Sequence, residues 1–283
     1  MEDDLIRLYY WDYPNFGDQL SRYLIEKITG KPVVYSPPPF DNITLLAVGS
    51  LIDPSVLRKN VVIWGTGTLQ TTILDRPSLK LFPVNRLIRQ IKDLVQTAQP
   101  RICAVRGPRT RDILQNRGLY CPNVFGDPAI LLPKYYMPRK KLTRNPIGLI
   151  LHHTQHLTRE QLAFCANIGI RTISIFRKKN NEIENFIEEV CACERVFSSS
   201  LHGLIVAQTY GIPAQWIRLK NNSIHADDWH KFEDYFLGAC QEPQKALDID
   251  LSDRDLLNIQ KIVPPKIKRF AMADALLDSF PNI

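Results

Sequence analysis

A chain of 283 residues, 45% hydrophobic and 23% charged, is long enough for two domains and apolar enough to bury a core in each. Lys and Arg number 36 against 29 Asp and Glu, and this charge of +7 is scattered apart from two basic runs, 138–144 and "PPKIKRF" at 264–270, neither with the interleaved aromatics that stack on single-stranded bases; an anionic small substrate or an anionic membrane surface explains it without nucleic acid. No run approaches the ~18 apolar residues that span a bilayer, and the acidic opening "MEDDLIRLYYW" lacks the basic start of a signal peptide, which predicts a cytoplasmic protein.

In chain order, "DLIRLYYW" predicts a strand that runs into the loop "DYPNFGDQL". Asp18 then stands near the start of an amphipathic helix, "DQLSRYLIEKITG", closed by Gly30 with Pro32 beyond it. "ITLLAVGSLI" and "NVVIWGTGTL" are short buried strands running into glycine turns. "RICAVRGPRTRDILQNRG" is a strand, a turn holding Arg106, and a helix stopped by Gly118; "NVFGDPAILLP" follows as a last strand and loop. The segment 134–146 breaks this rhythm with Pro138, Pro146 and the basic run "PRKKLTR" at 138–144, and is read as a linker.

The alternation then restarts. "IGLILHH" is a strand, "TREQLAFCANIG" a helix capped by Thr158, "IRTISIF" a strand, "NNEIENFIEEVCACE" a helix and "RVFSSS" a strand. A helix from Leu201 to the Gly211 and Pro213 stop leads to the strand "AQWIRL". Strands separated by helix-length segments predict an α/β fold with two Rossmann-like, doubly wound domains facing a cleft, at 1–140 and 145–245. Helices are expected in the tail, 250–283, the last crossing back to the first domain. The six cysteines form no CxxC pair, so free thiols are expected and no metal.

In such sheets ligands bind beyond the carboxyl ends of the strands. Ser199, Ser200 and Leu201 stand at one such junction, where the unpaired N–H groups and positive dipole of a helix start welcome an anion. His202, on the first turn, either offers that anion a hydrogen bond or proton, or is a satisfied, half-buried histidine behind a Ser200 cap. Arg106 ends another strand, with Arg109 three residues on, and an arginine there presents a rigid fork to carboxylate or phosphate. Asp18 and Asp127 bring carboxylates to the same edge. Taken singly, each is more often a cap or turn residue than a catalyst; their recurrence at strand ends of two facing domains favours a site.

The stretches "YWDYPNFGDQLS", "VIWGTG", "AVRGPRTRDIL", "FGDPAILLP" and "SSSLHGLIVAQTYGIPA" resemble, in that order, the motifs of polysaccharide pyruvyl transferases of the bacterial exopolysaccharide ketal-pyruvate type, over residues 9 to 235. The resemblance implies transfer of the enolpyruvyl unit of phosphoenolpyruvate onto two hydroxyls of a sugar as a cyclic ketal, without metal or other cofactor, on a GT-B-like fold. It also implies a lipid-linked oligosaccharide acceptor at the inner membrane face, which allows peripheral membrane contact. The family pattern puts a donor-binding arginine at Arg106 and the functional histidine at His202. Some members carry an arginine two residues before that histidine, where this chain has Ser200; Arg109, Lys231 and Arg218 are the remaining candidates for a second anion clamp. Asp18 is assigned as base or hydroxyl acceptor. Two other readings remain: a GT-B glycosyltransferase or epimerase using a nucleotide sugar, and a non-enzymatic glycan-binding module.

Overall fold

The computed structural model describes residues 5–69, 71, 99–139, 147–220, 228–267 and 270–283. Most of the expected basic linker, 140–146, lies outside the described residues, as do the first four residues and positions 268 and 269 of the second basic run. Among the described residues, no helix is long and apolar enough to cross a membrane.

The first half contributes β1 (Ile6–Tyr9), α1 (Phe16–Thr29), β2 (Val33–Tyr35), β3 (Thr44–Leu46), β4 (Val61–Trp64), β5 (Arg101–Ala104), α2 (Pro108–Gln115) and a short α3 (Leu132–Tyr135). Its sheet has the order β2-β1-β3-β4-β5 with every pair parallel. The second half contributes β6 (Ile147–Ile150), α4 (Arg159–Asn167), β7 (Ile170–Thr172), α5 (Asn180–Cys191), β8 (Val196–Ser198), α6 (Leu201–Thr209), β9 (Ala214–Leu219), α7 (Asp228–Gly238) and β10 (Leu247–Ile249). That sheet is also fully parallel, in the order β10-β9-β8-β6-β7. The chain ends in α8 (Asp253–Ile259) and α9 (Ala273–Asp278).

All four residues of β4 and of β6 are buried, because helices cover both faces of a parallel sheet and apolar side chains are needed on each. Gly30 closes α1 with φ +67°, a left-handed conformation that lets its N–H reach the Glu26 carbonyl. Thr158 caps α4 through a reciprocal pair with Gln161.

Three local readings are corrected. The segment 123–133 forms no strand: Phe125 makes one bridge to Val105, and Asp127 then caps a 3-10 turn, Pro128–Leu131, that continues into α3. Gly126 (φ +142°) and Pro128 turn the chain too early for a strand. The strand expected over 170–176 stops at Thr172, and its remainder staples to the first half, with Phe16 N–H donating to Ile175 O and Arg177 N–H to Pro14 O. The edge strands β2 and β10 and helix α7 have no counterpart in the sequence reading; each of the two strands has three residues with a single buried side chain, too short an apolar run to be seen.

Counted from its own first strand, each sheet has the order 2-1-3-4-5. Chain direction across such a sheet reverses between its first and third strands, so the loops there diverge and open a crevice. The two crevices lie after β1 and β3 and after β6 and β8. Helices α7 and α9 return to the first half: α7 packs on α2, and Trp64 Nε1 donates to Leu276 O of α9 (3.0 Å) with Phe280 edge-on at 4.8 Å.

Candidate active site

Both crevices open into one cavity of about 660 Å³. Trp11 follows β1, Ser50 follows β3, His152 and His153 follow β6, and Ser200 and His202 follow β8, so one ligand there touches both halves.

The three serines before α6 divide their work. Ser198 Oγ donates to Ser200 O (2.8 Å) and accepts from Ser200 N–H, closing the turn inward. Ser199 Oγ donates to Gln155 Oε1 (2.6 Å) and accepts from His152 N–H (3.0 Å), tying the β6 loop to the β8 loop. Ser200 alone of the three lines the cavity. It occupies the N-cap position of α6 without a side-chain cap bond, so the reading of Ser200 as a simple cap does not hold. Leu201 and His202 line the cavity beside it, at the positive end of the helix.

His202 faces this cavity between two carboxylates. Its Nε2 lies 3.6 Å from Asp127 Oδ2, and among the described residues neither atom has a hydrogen-bond partner. Asp127 is fully buried behind the ring and spends Oδ1 on the Ala129 N–H (3.0 Å), so it backs the histidine and does not line the cavity. The other edge of the ring lies on Gly17, where a Cβ would overlap Nδ1. The glycine of "NFGDQ" is therefore the space the imidazole occupies.

Asp18, next in the first turn of α1, is buried and lines the cavity. Burial pushes its carboxyl from 3.8 up to about 6, opposed by the Asn15 Nδ2 hydrogen bond (2.7 Å) and by His202. Because the folded value lies above the unfolded one, folding favours the protonated acid. That stabilisation is complete below about pH 4 and is lost as pH rises through about 6. Asp18→Asn removes the titration, so relative to wild type the variant gains on the order of 3 kcal/mol as pH rises from about 4 to above 6. Urea unfolding of both proteins at the two pH values measures this; a constant difference between them overturns the assignment.

Arg106 takes a different place from the one expected. Its side chain is fully buried, and each of its three nitrogens donates to the protein: Nε to Asp234 Oδ2 (3.1 Å), Nη1 to Ser50 Oγ (2.7 Å) and Nη2 to Thr68 O (2.7 Å). Gly67 leaves room for the guanidinium, and a Cβ on Gly107 or Gly238 would overlap the backbone carbonyl of Asp234 or Arg106. Asp234 also accepts from Thr110 N–H (3.0 Å) and Thr110 Oγ1 (2.7 Å). His230 completes the cluster through Thr68 Oγ1 (2.8 Å), and burial together with the Arg106 charge holds its pKa below the ordinary value. Arg106 therefore ties α7 to the first half and reaches the cavity only through the Ser50 hydroxyl. His202 faces the carboxyl groups of Asp127 and Asp18, while Arg106 is committed to Asp234, Ser50 and Thr68.

The polysaccharide pyruvyl transferase family model matches residues 6–221. The chain belongs to this family. A protein of Acanthamoeba polyphaga mimivirus, itself uncharacterized, is 28% identical over 233 residues, covering 78% of this chain and 69% of that one. A functionally uncharacterized protein of Klebsiella pneumoniae, solved by crystallography, aligns with a TM-score of 0.45 at 13% identity, over 87% of this chain and 93% of that one.

In this pyruvyl transferase family member, Lys231 is the anion-clamp candidate that the structure brings to the cavity, where it is buried with its ammonium over the Phe232 ring (5.7 Å). Arg109 is half-exposed against Glu233 (2.8 Å), and Arg218 forks onto Asp248 (2.7 and 2.9 Å); neither lines the cavity. Sequence reasoning missed Trp11, Asn15, His152 and His153. The signal was present for the histidines, since "ILHH" sets two of them at the end of a buried strand. Asp234 offered none, lying 128 residues from Arg106.

Proposed function

We propose that the protein transfers pyruvate from phosphoenolpyruvate onto two hydroxyls of a sugar as a cyclic ketal, releasing phosphate. The observation that carries this reading is His202, set in a cavity on the first turn of α6 with Asp127 behind it and Asp18 beside it. Membership of the family supplies the reaction class.

The donor carries a carboxylate and a phosphate. Lys231, the Ser200 hydroxyl and the α6 N-terminus offer it a cation, a hydroxyl donor and backbone N–H groups. His202 protonates the methylene carbon, and the cation developing at the adjacent carbon is attacked by the first sugar hydroxyl, whose proton passes to Asp18. Asp18 returns that proton to the departing phosphate. The second hydroxyl then closes the ketal and reprotonates His202. Asp127 stabilises the imidazolium at both ends of the cycle, and an Asp18 carboxyl near 6 exchanges protons readily close to neutrality.

The same proposal takes the two halves as domains at 1–140 and 145–245, arranged as in GT-B enzymes, with the tail from 250 returning to the first. The acceptor sits on a lipid-linked oligosaccharide at the cytoplasmic face of the membrane. No step calls for a metal, another cofactor or nucleic acid. Phosphoenolpyruvate at about one hundred times its Kd should raise the apparent stability by about 2.7 kcal/mol, whereas a panel of nucleotide sugars should leave it unchanged. The reverse pattern in a thermal-shift experiment would turn the reading to a nucleotide-sugar enzyme.

A further inference from the structure

An indole projects at the mouth of the cavity without a role in the chemistry above. Trp11 is 53% exposed and lines the cavity that holds His202 and Asp18. Tyr13 stacks on it at 5.2 Å with 20° between the planes, and the His153 ring stands against both, at 5.8 Å from Trp11 and 5.2 Å from Tyr13. Phe176, also exposed, extends the group 6.1 Å beyond Tyr13. Three loops from both halves thus place aromatic rings at one rim.

The platform is held rigidly. Tyr13 N–H donates to Trp11 O (2.8 Å), Asn15 N–H to Tyr13 O (2.7 Å) and Gln19 Nε2 to the same carbonyl (2.9 Å). The staple between residues 14–16 and 175–177 locks the loop to the second half. A contiguous group of exposed aromatic rings at a cavity rim, unlike a single exposed side chain, is the kind of surface that marks a ligand contact. An aromatic face is electron-rich, and the C–H-bearing face of a pyranose is its complement: apolar, faintly positive and ringed by hydroxyls. The described lining supplies partners for those hydroxyls in Asn15, Thr154 and Asp53.

We infer that Trp11, backed by Tyr13 and flanked by His153, seats a pyranose ring of the acceptor glycan. Its hydroxyl pair then points inward to Asp18 and His202. This inference rests on the pyruvyl-transfer reading for the identity of the acceptor, but its test does not. Saturation-transfer NMR on the intact chain, without donor, follows lactose, cellobiose and mannobiose. At least one should bind with its ring C–H protons saturated, Trp11→Ala should weaken it about ten-fold or more, and Trp11→Phe should recover part of the loss. Tyr13→Ala should act in the same direction by freeing the indole. Stabilisation by phosphoenolpyruvate should be unchanged in Trp11→Ala, because the donor groups lie at the α6 end. Failure of all three disaccharides to bind wild type, or equal binding by Trp11→Ala, overturns the inference. So does a Trp11→Ala protein that keeps its sugar affinity but loses binding to phosphatidylglycerol vesicles, which makes the indole a membrane contact. Failure of the pyruvyl-transfer reading appears separately, as absent stabilisation of wild type by phosphoenolpyruvate.

Discussion

His202→Ala is expected to lower turnover by about 10² to 10⁴, the usual contribution of one positioned general acid. The fold should survive, because the ring lies at a cavity wall and not in the packed core, and water fills the space that its removal leaves. The variant should still be stabilised by phosphoenolpyruvate through Lys231, Ser200 and the α6 N-terminus. His202→Gln then separates two roles, since an amide donates a hydrogen bond but transfers no proton. Recovery of rate by Gln makes His202 a phosphate ligand; failure of both variants makes it the acid. Asp127→Asn should fall on the same side as His202→Gln, for it keeps the oxygen that caps the 3-10 turn but removes the charge facing Nε2 (3.6 Å). Phosphate release gives the rates, and urea unfolding supplies the control for folding. Wild-type turnover in His202→Ala would return His202 to a packing role beside Gly17.

Asp234→Ala is expected to cost about 3 to 5 kcal/mol of stability, the loss seen when one partner of a buried ion pair is removed. Both side chains of the Arg106–Asp234 pair are fully buried, and the substitution also strips the Thr110 N–H and hydroxyl of their acceptor. Arg106→Lys should be nearly as damaging as Arg106→Ala, because an ammonium cannot reach Asp234, Ser50 and Thr68 together. A paired replacement, Arg106→Met with Asp234→Leu, should recover much of the loss, since no buried charge is left unmatched. Urea unfolding of the four variants decides this. If Arg106→Lys instead unfolds like wild type but binds phosphoenolpyruvate ten-fold more weakly or worse, the arginine is a donor clamp as the family pattern suggests.

The alternation of buried strands with helices was legible because parallel sheets demand apolar runs on each strand, and that demand is met within a few consecutive residues, as in "VVIW" and "IGLI". His202 and Asp18 stood out for the same local reason: a titratable side chain on the first turn after a strand or loop is visible without knowing what lies opposite. The strands β2 and β10 escaped notice because three residues with one buried side chain each make too short an apolar run, whereas β7, equally short, was legible because apolar residues continue beyond it to Phe176. Partner choice escaped notice for a different reason. A charge announces that it needs a counter-charge but not which one, and the helix carrying Asp234 meets Arg106 only after the second half has folded back on the first. Arg106 thus reads from sequence as a ligand fork and in three dimensions as a tie between halves. Asp127, likewise, is a turn residue in one dimension and the carboxylate behind His202 in the fold. The sequence by itself determined which side chains stand at strand ends, through local periodicity and helix-start chemistry; only the tertiary structure decided which of them share a cavity, because that depends on contacts between segments more than a hundred residues apart.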